Sequence, residues 1–286
     1  MRTILTAAVA VAAMAVVAGD ARAQTPLERG RYLMESIVAC GNCHTPKGPQ
    51  GDIAEMELAG GFRVIEEGMF DVYAPNITPD AETGIGRWTD AQIILAIREG
   101  KRPDGSIIGP PMPIGLYRGM SDSDVRAIVA YLRAVKPIKN AVPKSTYMIP
   151  LPPNYGPPVG SVADVPKTDR VRYGAYMAGP LGHCLECHTP MGAGGQPDFQ
   201  NRLGAGGFPF KGPWGVSVSS NITPHPRDGL GGWTDAQIKT AITQGVRPNG
   251  ERLKPPMAFS YYAKIAADDL DALVAYLRSM PPLEGP

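Results

Sequence analysis

The residues able to do chemistry are few, and they come in pairs. The chain holds four cysteines and four histidines. All four cysteines fall in two copies of one pattern, Cys40-Gly41-Asn42-Cys43-His44 and Cys184-Leu185-Glu186-Cys187-His188. Cys-x-x-Cys-His is the attachment signature of a c-type haem. Cysteines three residues apart lie on one side of a helical turn, so both sulfurs can reach the two vinyl groups of a porphyrin, while the adjacent histidine turns a ring nitrogen to the iron. Three other readings compete. A thioredoxin-like redox pair needs alternating strands and helices, which the sequence does not suggest. A four-cysteine zinc site would have to join Cys43 to Cys184 across 141 residues, against roughly 15–20 in the usual zinc spacing. Two plain disulfides would leave both paired histidines unexplained. The expectation is two covalent haem c groups, attached at Cys40, Cys43, Cys184 and Cys187, with His44 and His188 as iron ligands.

The sixth position on each iron decides between electron transfer and catalysis, and an internal repeat points to its occupant. Asn76-Ile77-Thr78-Pro79 recurs as Asn221-Ile222-Thr223-Pro224, and Trp88-Thr89-Asp90-Ala91-Gln92-Ile93 recurs as Trp233-Thr234-Asp235-Ala236-Gln237-Ile238, both at an offset of 145. Gly60-Gly61-Phe62 with Gly206-Gly207-Phe208, and Tyr131-Leu132-Arg133 with Tyr276-Leu277-Arg278, keep the register. Aligning the copies pairs only Met112 with Met257 among the methionines after residue 23, each behind two prolines that preset the backbone. Met34, Met120 and Met177 read as ordinary core fillers. His183 and His225 align with Ala39 and Asp80, and a duplicated site should not depend on an unduplicated ligand. Histidine and methionine together leave no open coordination position, which predicts one-electron transfer at both irons.

The elements that must position these groups follow from the same repeat. Each half reads as three short helices separated by long loops. The first leads into the cysteine motif, over Gly30 to Ala39 and Gly174 to His183. The second starts at a capping box, Thr89 with Gln92 and Thr234 with Gln237, and stops at Gly100 and Gly245. The third carries Val125, Ile128, Val129 and Leu132, repeated as Leu270, Leu273, Val274 and Leu277, at helical spacing. Little suggests strands, so the chain is expected to be all-α. Residues 1–23 resemble a secretory signal, with Arg2, an apolar run from Ile4 to Gly19 and Ala21-Arg22-Ala23 before Gln24. That leaves 24–136 and 167–286 as two domains, joined by a strap over 137–166 with eight prolines, extended and semi-rigid rather than floppy. Gly and Pro make up 34 and 30 of 286 residues, a composition suited to loop-rich domains with cofactor interiors. The formal charge of +1 supplies no basic field for nucleic acid, and no stretch after residue 23 reaches transmembrane length.

Taken together, Cys-x-x-Cys-His, Asn-Ile-Thr-Pro, Gly-x-Gly-x-Trp-Thr-Asp-x-Gln, Pro-Pro-Met and a closing Ala-Tyr-Leu-Arg resemble the class I cytochrome c domains of multi-haem subunits that accompany periplasmic alcohol, aldehyde, sugar and related dehydrogenases. The resemblance covers nearly all of the chain after residue 23, in both halves. It implies two tandem cytochrome c-like domains, each around one haem. It further implies a periplasmic di-haem carrier that takes electrons from a dehydrogenase and passes them to a downstream cytochrome or terminal oxidase, with any membrane association made through a partner. The best-known members carry three such domains and a membrane-attaching C-terminus; two domains suggest a two-haem relay. In similar domains a tryptophan binds a haem propionate, so Trp88 and Trp233 either donate an indole hydrogen bond there or pack on the ring edge. Asn76 and Asn221 either bond near the methionine or a propionate, or simply make turn chemistry. The competing function is a di-haem redox enzyme, a peroxidase or sulfur-compound oxidase with one haem open to substrate. Charge separates the halves: residues 24–136 carry 12 basic and 15 acidic groups, residues 167–286 carry 12 and 10. Six acids between Asp52 and Asp71 face only Arg63, and different partners are expected to dock on the two halves.

Overall fold

The computed structural model describes residues 24–193, 195–212 and 214–285; the leader reading of residues 1–23 lies outside them. In the first half, α1 (Pro26–Glu35) is followed by the one-turn α2 (Gly41–His44), then α3 (Asp90–Glu99), the one-turn α4 (Ile114–Tyr117) and α5 (Asp122–Ala134). The second half repeats the series as α6 (Arg170–Tyr176), α7 (Cys184–Cys187), α8 (Asp235–Gln244), α9 (Phe259–Tyr262) and α10 (Ala267–Ser279), with a π-helical turn at Met177–Leu181 after α6. Both capping boxes form, Thr89 with Gln92 and Thr234 with Gln237, and Gly100 and Gly245 each close their helix at φ 64°. A third box, Thr25 with Glu28, starts α1.

The expectation of an all-helical chain holds only in part. Short strands pair as β1 (Lys47–Gly48) with β2 (Gly51–Asp52), β3 (Arg63–Glu66) with β4 (Phe70–Tyr73), and β6 (Pro209–Gly212) with β7 (Gly215–Val218); β5 (Thr146–Tyr147) adds to β4. The long loops cannot leave their backbone groups unpaired where they cover the interior, and a hairpin satisfies them locally. Val64, Ile65, Phe70, Val72 and Tyr73 are β-branched or aromatic, which suits a pleated, half-buried surface.

In each half the first helix crosses the last at a glycine. A Cβ on Gly30 would stand 1.9 Å from the Ala127 carbonyl oxygen, and one on Gly174 would stand 2.0 Å from that of Ala272. The helices therefore touch backbone to backbone, and around each crossing Leu33, Ile37 and Ile128, or Met177, Leu181 and Leu273, are fully buried. Gly30→Ala and Gly174→Ala are each expected to cost about 2 kcal/mol, in the range of core overpacking, read as a fall in thermal midpoint. Gly115→Ala, where the added Cβ meets nothing within 4 Å, is the neutral control.

The two halves pack into one continuous apolar cluster, and the contact between them is reciprocal. Tyr32 of α1 donates to Asp269 of α10 at 2.7 Å and accepts from the Ala266 N–H at 3.2 Å. Its repeat counterpart Tyr176 donates to Asp124 of α5 at 2.7 Å and accepts from the Ser121 N–H at 3.0 Å. Each tyrosine thus plugs the N-terminus of the other half's last helix, where backbone N–H groups lack intrahelical partners. Such self-complementary exchange is the signature of a two-fold interface, here built within one chain. The strap runs along the first half: Tyr155 donates to the Ile108 carbonyl at 2.7 Å, and the Val159 N–H to Glu99 at 2.8 Å.

Candidate haem centres

In both halves the residue before the first cysteine turns left-handed, Ala39 at φ 49° and His183 at φ 40°, and the helical turn that follows carries the motif. Cys40, Cys184 and Cys187 are half-buried and Cys43 is exposed, and no sulfur is bonded to another. Among the described residues no cluster of His, Cys, Asp or Glu converges as a zinc site requires. Burial pushes the Cys40 and Cys184 thiols up to about 12 and about 11, so both are uncharged before attachment, in surroundings suited to an apolar macrocycle.

The histidines are held the same way in both copies. His44 Nδ1 lies 2.8 Å from the Pro75 carbonyl and His188 Nδ1 lies 2.6 Å from that of Ser220. A carbonyl only accepts, so Nδ1 carries the proton and Nε2 keeps a free lone pair, the arrangement a metal-ligating imidazole needs. Burial, opposed by that hydrogen bond, holds both rings below the usual histidine range and hence neutral. The residues following them, Thr45 and Thr189, are buried and accept the N–H of Leu58 and Gly204, each at 3.1 Å. These threonines escaped notice in the sequence, although the repeat marks them.

Met112 and Met257 sit half-buried against the apolar cluster, on loops whose Pro110-Pro111 and Pro255-Pro256 bonds are both cis. Met112 O accepts the Ile114 N–H at 2.8 Å and Met257 O accepts the Phe259 N–H at 3.0 Å, which ties each methionine to the one-turn helix after it. Those helices carry Tyr117 and Tyr262. Burial foremost, then the neighbouring Cys40 and Cys43 or Cys184 and Cys187, push these hydroxyls well above the usual range. Both tyrosines are buried, so each methionine loop is tied to a helix anchored in the interior.

Trp88 and Trp233 are half-buried, and neither indole N–H has a protein acceptor among the described residues. Their backbones are pinned from the closing Ala-Tyr-Leu-Arg: Arg133 bonds the Trp88 carbonyl and Asp90, and Arg278 bonds the Trp233 carbonyl and Asp235. Asn76 and Asn221 make turn chemistry. Each Oδ1 accepts the N–H two residues on at 2.9 Å, and each Nδ2 donates at 2.7 Å to the chain leaving its half, at Ile138 or Leu283. Of the six acids, Asp52 and Asp71 are ion-paired with Lys47 and Arg63, and Asp52 also accepts from Tyr261 of the other half at 3.2 Å.

The first motif and the turn leading into the second both pack against side chains of the other half. A Cβ on Gly41, inside the first motif, would stand 2.3 Å from the Tyr261 hydroxyl, and one on Gly182, two residues before the second, would stand 2.7 Å from Ile37. His183 packs edge-on to Tyr117 with ring centroids 6.0 Å apart.

The cytochrome c family profile matches this chain twice, over residues 27–136 and 176–281. The chain belongs to the cytochrome c family. It is 31% identical over 259 residues to a diheme cytochrome c-type protein of Cereibacter sphaeroides, covering 86% of this chain and 83% of that one. It is 32% identical to the fructose dehydrogenase cytochrome subunit of Gluconobacter japonicus, over 89% of this chain and 52% of the subunit. It is also 32% identical to the alcohol dehydrogenase (quinone) cytochrome c subunit of Gluconobacter oxydans, over 96% of this chain and 59% of the subunit. The cytochrome thus spans between half and two thirds of the length of these dehydrogenase subunits. With a duplicated domain and a diheme relative, it carries two covalently bound haem c groups. Among the described residues no helix is long and apolar enough to cross a membrane.

Proposed function

We propose that this cytochrome is a periplasmic di-haem carrier, exported by residues 1–23, that moves single electrons from a dehydrogenase towards the respiratory chain. The observation that carries this reading is the duplicated haem-attachment motif, with the first copy and the turn leading into the second packed directly on side chains of the other half. Residues 24–136 and 167–286 form the two haem domains and 137–166 the strap that joins them. Cys40 and Cys43 would hold one haem, with His44 and Met112 supplying nitrogen and sulfur to its iron; Cys184 and Cys187 would hold the other, with His188 and Met257 in the same roles. Each haem, when bound, supplies a one-electron iron couple.

The chain's own residues do the rest. Pro75 O and Ser220 O fix the proximal rings through Nδ1, leaving Nε2 for iron. The free indole N–H groups of Trp88 and Trp233 are available to a propionate, and Asn76 and Asn221 brace the surrounding loop. The alcohol, fructose and gluconate dehydrogenase cytochrome subunits among the relatives support a dehydrogenase as donor, and a downstream cytochrome or terminal oxidase is the acceptor. Spectroelectrochemistry of the holoprotein tests the proposal. Two one-electron waves, low-spin spectra with a methionine-to-iron band for both haems, and no reaction with peroxide are expected. A high-spin haem that reacts with peroxide would overturn it in favour of an enzyme.

A further inference from the structure

The two halves differ at one sheet edge. In the first half β4 is paired on both sides, with β3 and with strap strand β5, where Tyr147 lies opposite Phe70 and Thr146 opposite Asp71. The outward backbone groups of β4 are all engaged there: the Met69 carbonyl accepts the Met148 N–H at 2.9 Å, and the Tyr73 N–H donates to Ser145 Oγ at 3.0 Å.

Its counterpart β7 pairs with β6 alone. The Ser219 N–H donates to the Phe208 carbonyl at 2.9 Å, so by strand alternation 215 and 217 face β6, while the backbone groups of Val216 and Val218 point outward. Among the described residues these groups have no partner, and the two valine residues are 55% and 57% exposed. Open edges are usually blunted by proline or lysine. Here both devices stand on β6, whose outward positions are Pro209 and Lys211; β7 has neither. Opposite the Tyr147-like position β7 has Gly215, and a Cβ there would meet nothing within 4 Å, which leaves room for a large side chain.

We propose that the outer edge of β7 is a strand-addition site for an extended segment of another protein. The segment runs antiparallel to β7, with a β-branched residue opposite Val216 and an aromatic residue opposite Gly215, the chemistry of Thr146 and Tyr147 on the homologous edge. Backbone pairing supplies the affinity and these two side chains the selectivity. The inference does not depend on which protein reduces the haems.

The test uses the reduced, isotopically labelled holoprotein and a synthetic peptide with the sequence of residues 144–149. In the protein alone the amides of Val216 and Val218 should exchange at least about tenfold faster than that of Asp71. At millimolar peptide their resonances should shift saturably and their exchange slow. Val216→Pro removes the outward donor and Val216→Lys blocks the edge; both should abolish the response and leave the haem spectra intact. Absence of a saturable shift at these two amides, or a response elsewhere that survives both substitutions, overturns the proposal. So does a concentration-dependent dimer abolished by Val218→Pro, which would show that the edge pairs with a second copy.

Discussion

Asp124→Ala is expected to lower the stability of the holoprotein by about 3 kcal/mol, the lower end of the cost of breaking a buried ion pair. That corresponds to roughly 6–12 °C in thermal midpoint for a chain of this size. Asp124 takes Arg29 in a fork, at 2.8 Å from Nε and 3.0 Å from Nη2, and accepts from Tyr176 across the seam at 2.7 Å. Burial works against the Arg29 charge, but hydrogen bonding and attraction to Asp124 outweigh it and hold the guanidinium protonated more firmly than usual. Without the carboxylate that charge is stranded, with its side chain only 17% exposed. Asp269→Ala, at the equivalent position, should cost about 1–2 kcal/mol, because its cation Lys167 is 57% exposed and water can solvate it. Denaturation of both variants checks the difference. A loss below about 1 kcal/mol for Asp124→Ala would show that the seam does not rest on this network. Because the same bonds tie the helices that lead into the motifs to the other half, the variant should also slow electron exchange between the haems while leaving each haem's spectrum unchanged.

Met112→Ala and Met257→Ala should each convert one haem, and only that one, from low-spin to high-spin. The methionine-to-iron band should halve, and the potential of the altered haem should fall by on the order of 0.1 V, within the roughly 0.8 V that axial ligation spans. Met120 is fully buried in the apolar cluster, so Met120→Leu should cost some stability and leave both spectra untouched. The comparison separates a ligand from a core filler, which burial alone does not. If Met112→Ala kept its band, the ligand assignment in the first half would be wrong, and the repeat argument would fail with it.

Features encoded over a few residues were legible before any coordinates. The capping boxes at Thr89 and Thr234, the closing glycines and the periodicity of α5 and α10 form as their sequence implies, since each is decided within one or two helical turns. The cysteine motifs were equally plain, because attachment chemistry demands a fixed local spacing. The hairpins were harder to see. β3 and β4 are four residues each, too short for alternation to stand out, and β5 joins them from a strap chosen for its prolines. Asn76 was recognisable as duplicated, but its amide goes to Ile138, 62 residues away, a partner outside any local window.

The seam marks the boundary most clearly. Alignment of the repeats identifies Tyr32 with Tyr176 and Asp124 with Asp269, yet it does not say whether a tyrosine bonds the aspartate of its own half or of the other. Tyr32 reaches Asp269 across 237 residues. Its choice depends on the apolar faces around Ile37, Tyr117 and Gly182 burying one another, a sum over surfaces that no local window contains. The sequence by itself determined two haem motifs and a duplicated helical frame, because those are properties of spacing. Only the tertiary structure decided that each tyrosine bonds the other half's aspartate and that one half has a paired sheet edge and the other an open one, because those are properties of shape.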